Sequence, residues 1–200
     1  MSENVPLSTI GLSMPSDFPT EHYVSINQRA GTHSASQEHF AGAWNAVAYR
    51  FDAVNEYHTA LTTSLDSSRY GVVGPERSRQ ERDLFGFFSN GFSVFEAAFY
   101  GLFSLGALVC AAGFPIATPK EQKRIGPSFT AIQIQKAFPG DPILEVMTSV
   151  ITDPAYVDWG DVRHVLTHRV APAAISLSIM RCVPLNGSSR AFRSPRKWSL

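Results

Sequence analysis

The 200-residue chain predicts an all-α fold, a four- to five-helix up-and-down bundle, and three observations carry that reading. Apolar residues recur at three- and four-residue steps from Glu38 to Leu65, the period of a helix with one core-facing side. A second segment, Leu84 to Gly113, holds a single charge, Glu96, in thirty residues, as the central helix of a bundle would. Helix-starting signals then recur downstream, at Asp141-Pro142 and Asp153-Pro154. No internal repeat and no strand-like alternation competes with these signals.

Residues 1–36 carry Pro6, Pro15, Pro19, Gly11 and Gly31 among many Ser and Thr without a sustained period, which predicts a flexible or loosely packed leader. The first helix follows, with Phe40, Trp44, Val47, Phe51, Val54, Tyr57, Leu61 and Leu65 on its apolar side. Ser67, Ser68, Gly71 and Gly74 end it, and Pro75 with Glu76 opens the second helix. That helix runs into the apolar segment, which is long enough to cross a bilayer. Against a membrane span stand Gly86, Gly91, Gly101, Gly106, the polar Ser89, Asn90 and Ser93, and Glu96 at its middle, a costly group in lipid. In a bundle, Glu96 is expected to be buried and to need an arginine or histidine from another helix. The run Phe88, Phe92, Phe95, Phe99 and Tyr100 reads as core, since base-stacking platforms are exposed. A short third helix is expected over Ser128 to Phe138, closed by Pro139-Gly140. Asp141 caps a fourth, carrying Ile143, Leu144, Met147, Val150 and Ile151, and Asp153 caps the last. The bundle is thus expected over residues 37–175 and a basic, disordered tail over 176–200. The tail's composition breaks from the helices before it, as a truncated or frame-altered end would.

Composition narrows the function classes. Seventeen acidic and seventeen Lys plus Arg residues cancel, so no overall field marks a nucleic-acid binder. After Asp161 there is no acid, while Arg163, Arg169, Arg181, Arg190, Arg193, Arg196 and Lys197 follow, a local bias suited to phosphates and equally to a solvated tail. Cys110 and Cys182 fit no metal or redox spacing, and no secretory pattern opens the chain, so a cytoplasmic location is expected. No phosphate-cradling glycine loop, no G-x-S-x-G elbow and no H-E-x-x-H pair is present.

The chemistry-bearing stretch is Trp159-Gly160-Asp161-Val162-Arg163-His164-Val165-Leu166-Thr167-His168-Arg169. On a helix, Trp159, Val162, Leu166 and Val170 form one stripe, Arg163 lies about 55° from its centre, and His164 and His168 share the opposite side one turn apart. Pro172 is expected to stop the helix. The bland reading is a polar face with cations near a helix C-terminus, where the dipole favours them. A metal on His164 and His168, with Glu56 or His58 adding ligands, lacks the carboxylate spacing such sites use, so no metal and no cofactor is expected.

Arg163-His164 followed by His168 resembles the R-x(4–6)-H signature of HEPN domains, whose residue after the arginine is commonly Asn, Asp or His. The helix plan over about residues 38–172 is also similar. The resemblance implies a HEPN-like bundle that forms a homodimer, with two motif copies facing one cleft. Active members are metal-independent endoribonucleases, often toxins or defence components, so RNA and a neutralising, antitoxin-like protein are the implied partners. Other members are non-catalytic binding or dimerisation bundles. Carried over, Arg163 would hold the scissile phosphate, His168 would act as general acid or base, His164 would take the polar helper position, and Arg169 would add a substrate-binding cation. Chemically the pairing is sound: imidazole moves protons near neutral pH, and guanidinium fixes phosphate charge in a planar fork.

Overall fold

The computed structural model describes residues 18–29, 35–67 and 73–168. Among them are seven α-helices and no strand: α1 (Thr20–Arg29), α2 (Ala35–Ser67), α3 (Pro75–Val109), α4 (Pro119–Gln122), α5 (Pro127–Ala137), α6 (Ile143–Thr152) and α7 (Pro154–His168). The chain is an all-α bundle. The five helices expected from the sequence are α2, α3, α5, α6 and α7, with ends shifted by a few residues, α3 stopping at Val109 and not at Gly113.

Helices α2 and α3 form an antiparallel hairpin. Their register follows from residue pairs that meet in reverse order: a Cβ on Gly101 would lie 3.5 Å from Ala43, and one on Gly86 would lie 2.6 Å from the Tyr57 ring. At the connected end, Gln80 Nε2 donates to Ser64 Oγ at 3.0 Å. Gly74 starts α3 at φ 68°, a left-handed conformation that glycine adopts without a steric penalty.

The main core lies at the far end of the hairpin, where Phe99, Phe103 and Ala107 of α3 meet Phe114, Ile116, Ile134 of α5 and Met147 of α6. Phe103 stands edge-on to Phe114 with centroids 5.1 Å apart, an arrangement favoured by the ring quadrupoles. Gly106 makes room for Phe114, whose ring comes within 2.5 Å of where a Cβ would sit. The connection to α5 is set by a capping box: Glu121 N–H donates to Thr118 Oγ1 at 3.3 Å, and Thr118 N–H to Glu121 Oε2 at 2.8 Å. Hydrogen bonding to the carboxyl from the Thr118 backbone N–H first, and then from the Thr118 hydroxyl, holds Glu121 below its usual pKa. Asp153 makes its expected cap bond, accepting from Ala155 N–H at 2.7 Å; Asp141 accepts from Ile143 N–H at 2.9 Å, but α6 starts one residue later than expected, with Pro142 at the N-cap.

Two expectations are corrected. The stretch read as a structureless leader contains α1, docked on α2 through Tyr23, which is 2% exposed and stacks on Trp44 at 5.4 Å. A ten-residue helix held by one buried aromatic leaves almost no period to find. The other concerns Glu96: its side chain is 43% exposed, at the edge of the helix packing and not inside it. By length and composition α3 could cross a membrane, but it packs on α2, α5 and α7, and 44% of its most apolar window is buried inside the bundle. The expectations for residues 169–200, including Arg169, Val170, the Pro172 stop, Cys182 and the tail, lie outside the described residues.

Candidate functional site

Helix α7 carries the Arg-His motif and is fixed on α3 by close approach at two glycines. Trp159 enters the space over Gly91, its Cζ3 only 2.0 Å from where a Cβ would stand, and is flanked by Phe87 at 5.1 Å and Phe88 at 5.4 Å. One residue on, Gly160 brings its backbone against Phe92, with 3.1 Å between a built Cβ and the ring. One turn earlier Tyr156 stacks on Phe92 at 5.2 Å and meets Phe95 edge-on at 5.3 Å. The Tyr156 phenol is pushed above its usual pKa by burial and then by the negative charge of Glu96. The anchor stripe of the sequence reading is therefore present at Trp159, although no residue of α7 is fully buried.

Arg163 reaches back to α3. Its guanidinium lies over the Phe92 ring at 5.3 Å, and Nη1 donates to Glu96 Oε1 at 3.4 Å. Ser93 donates to the other carboxylate oxygen at 3.2 Å. The partner expected for Glu96 is thus Arg163 itself. With side chains 36% and 43% exposed and a long contact, such a pair contributes at most about 1 kcal/mol.

His164 and His168 point the other way. Both are exposed, one turn apart, with ring centroids 4.9 Å apart, and α7 ends at His168. Within one chain the structure brings the two imidazoles together but does not bring Arg163 to them, as the roughly 140° between positions 163 and 168 requires. Thr167 donates to the Arg163 carbonyl at 2.7 Å and adds nothing to the polar side. Among the described residues no group of three or more His, Cys, Asp or Glu could hold a metal ion. His58, one of the two further ligands considered for such an ion, packs on Phe87.

The chain matches no family model, no curated protein and no solved structure.

A second polar centre was missed by sequence reading. Between α2 and α3 runs a cleft of about 360 Å³ lined by His39, Arg50, Ser93, Glu96 and Tyr100 among others. Its Glu96 wall is shared with Arg163, so it adjoins the α7 motif. Tyr100 Oη and His39 Nδ1 lie 3.0 Å apart although 61 residues separate them, and no local spacing announces such a pair.

Proposed function

We propose that the chain is a HEPN-like homodimer that cleaves RNA without a metal, in a groove formed where α7 helices of two copies face each other. The observation that supports this reading is the exposed His164–His168 pair, two imidazoles at 4.9 Å on the last turn of a helix held rigidly from its opposite side. In the proposed reaction His168 takes the proton of a ribose 2′-hydroxyl, whose oxygen attacks the adjacent phosphorus. A 2′,3′-cyclic phosphate forms, the 5′-oxygen leaves, and an imidazole of the site returns a proton to it. His164 assists as the polar neighbour, Arg163 neutralises charge on the phosphorane, and Arg169 binds the strand. Because Arg163 and His168 diverge on one helix, Arg163 of one copy serves the histidines of the other. The Arg163–Glu96 pair is weak enough for a phosphate to displace the carboxylate. A cytoplasmic location and a neutralising protein partner belong to the same reading.

The Arg163–Glu96 contact also favours a second reading: a non-catalytic helical RNA-binding or dimerisation module in which Arg163 only pins α7 to α3. One experiment separates them. Purified chain incubated with mixed RNA and EDTA yields fragments with cyclic phosphate ends under the first reading, and His168→Ala abolishes them. Intact RNA with both proteins, alongside an unchanged dimer by light scattering, refutes catalysis and leaves the module.

A further inference from the structure

From His39 and Tyr100 in the α2–α3 cleft a hydrogen-bond chain runs to Gln122 of α4, and its proton positions can be deduced. The Gln122 side-chain nitrogen donates to the Ile116 carbonyl at 3.0 Å and lies 3.3 Å from His39 Nε2. An amide nitrogen has two hydrogens and no acceptor capacity, so both contacts are satisfied only when His39 Nε2 is unprotonated. Turning the amide over would set its oxygen against the Ile116 oxygen, two acceptors facing each other. The imidazole hydrogen therefore sits on Nδ1, which faces Tyr100 Oη at 3.0 Å. Tyr100 accepts there, and its own hydrogen has no acceptor among the described residues. Burial raises the phenol pKa, which keeps that hydrogen in place.

Arg50 supplies a second donor in the same cleft. It is half-buried and has no carboxylate partner among the described residues. It lies eleven residues beyond His39 on α2, about 16 Å along the axis. Between them the walls are small and apolar: Gly42, Ala43, Ala46 and Ala97. Glu96 lies on the rim, where Ser93 donates to it at 3.2 Å and Arg163 at 3.4 Å. Glu38, beside His39, disfavours a second anionic group at the phenol end.

We infer that this cleft binds an elongated organic monoacid, its carboxylate on Arg50, its chain over the Gly/Ala floor, and a neutral terminal oxygen accepting the Tyr100 hydrogen. The cleft has the volume of a small-ligand site. The inference is independent of RNA cleavage and survives its failure.

Calorimetric titration of the full chain with 8-hydroxyoctanoate, octanoate and 1-octanol tests it. The hydroxy acid is expected to bind, octanoate roughly ten-fold more weakly for want of one hydrogen bond, and the alcohol not measurably. Tyr100→Phe should lower the hydroxy acid to the octanoate level and leave octanoate unchanged. Arg50→Gln, a change at a half-buried surface position, should abolish both and stands in should Tyr100→Phe fail to fold. Equal binding of all three probes, preference for the hydroxy acid persisting in Tyr100→Phe, or no binding at millimolar concentration overturns the proposal.

Discussion

Replacing Gly91 with alanine tests the feature on which any role of α7 depends. In an isolated helix the change is stabilising, because alanine exceeds glycine in helix propensity by about 0.8–1 kcal/mol. Here the new methyl would stand 2.0 Å from Trp159 Cζ3 and about as close to its neighbours as 2.9 Å and 3.0 Å. The indole cannot simply swing aside, since Phe87 and Phe88 hold both of its flanks. Overpacking of this kind costs about 1–3 kcal/mol, and the ceiling is the loss of the indole's packing, about 3–5 kcal/mol for a tryptophan truncated to alanine. The clash outweighs the propensity, and Gly91→Ala should destabilise the protein by up to about 2 kcal/mol. In a Trp159→Ala background the clash is gone and only propensity remains, so the same change should stabilise by up to about 1 kcal/mol. Urea unfolding followed by far-ultraviolet circular dichroism, run on the four proteins of this cycle, reads both signs. If Gly91→Ala stabilises the parent chain, Trp159 is not seated on α3 and the orientation of the motif argued above fails.

Other consequences follow from the same contacts. Tyr156 and Tyr100 should ionise above the usual tyrosine range in a 295 nm absorbance titration, and Glu96→Gln should move Tyr156 part-way back by removing the nearby charge while leaving the burial contribution. Since a phenol with a raised folded pKa keeps its proton longer than the unfolded chain does, stability should fall as pH rises from the unfolded tyrosine value through the folded one; a flat chemical-denaturation midpoint across that alkaline window would contradict it. Thr118→Ala should cost about 0.5–2 kcal/mol through loss of the α4 cap, and should return Glu121 toward its ordinary pKa in a carboxylate NMR titration. The depressed Glu121 pKa has the opposite sign: its contribution is present above the unfolded value and lost as pH falls through the folded one. Gly106→Ala, which drives a methyl to 2.5 Å from Phe114, should destabilise by up to about 2 kcal/mol net of helix propensity in thermal unfolding, whereas Gly42→Ala, with open space around it, should stabilise by about 1 kcal/mol.

Local signals made most of the bundle legible. The period of α2, the apolar α3 and the Asp-Pro starts of α6 and α7 are written in consecutive residues, and the structure realises them within a few positions. Helix α1 was not legible, because Tyr23 acquires its meaning only against Trp44 and Phe40, partners that stand in another helix. Glu96 was half legible: the need for a cationic partner follows from its apolar neighbours, and Arg163 is that partner. Its exposure depends on where α7 crosses α3, which the sequence does not state. The His39–Tyr100–Gln122 chain was out of reach altogether, since its members come from three helices and its logic lies in which nitrogen carries a proton.

The close approach of α7 to α3 also decides where a ligand of α7 can come from. Trp159, Gly160 and Tyr156 commit one face of the helix to Phe87, Phe88, Phe92 and Phe95, and Arg163 extends that face by lying on Phe92 and reaching Glu96. The imidazoles of His164 and His168 are left on the opposite side, so one subunit cannot close a cation and a base around the same phosphodiester without breaking the face that holds the helix. Breaking it would forfeit an indole's packing, several kcal/mol, whereas freeing Arg163 alone costs about 1 kcal/mol from the ion pair and a similar amount from the ring contact. Under the proposed RNA-cleaving reading the cheaper route would keep α7 docked, let a phosphate replace Glu96 at Arg163, and take the histidines from a second copy.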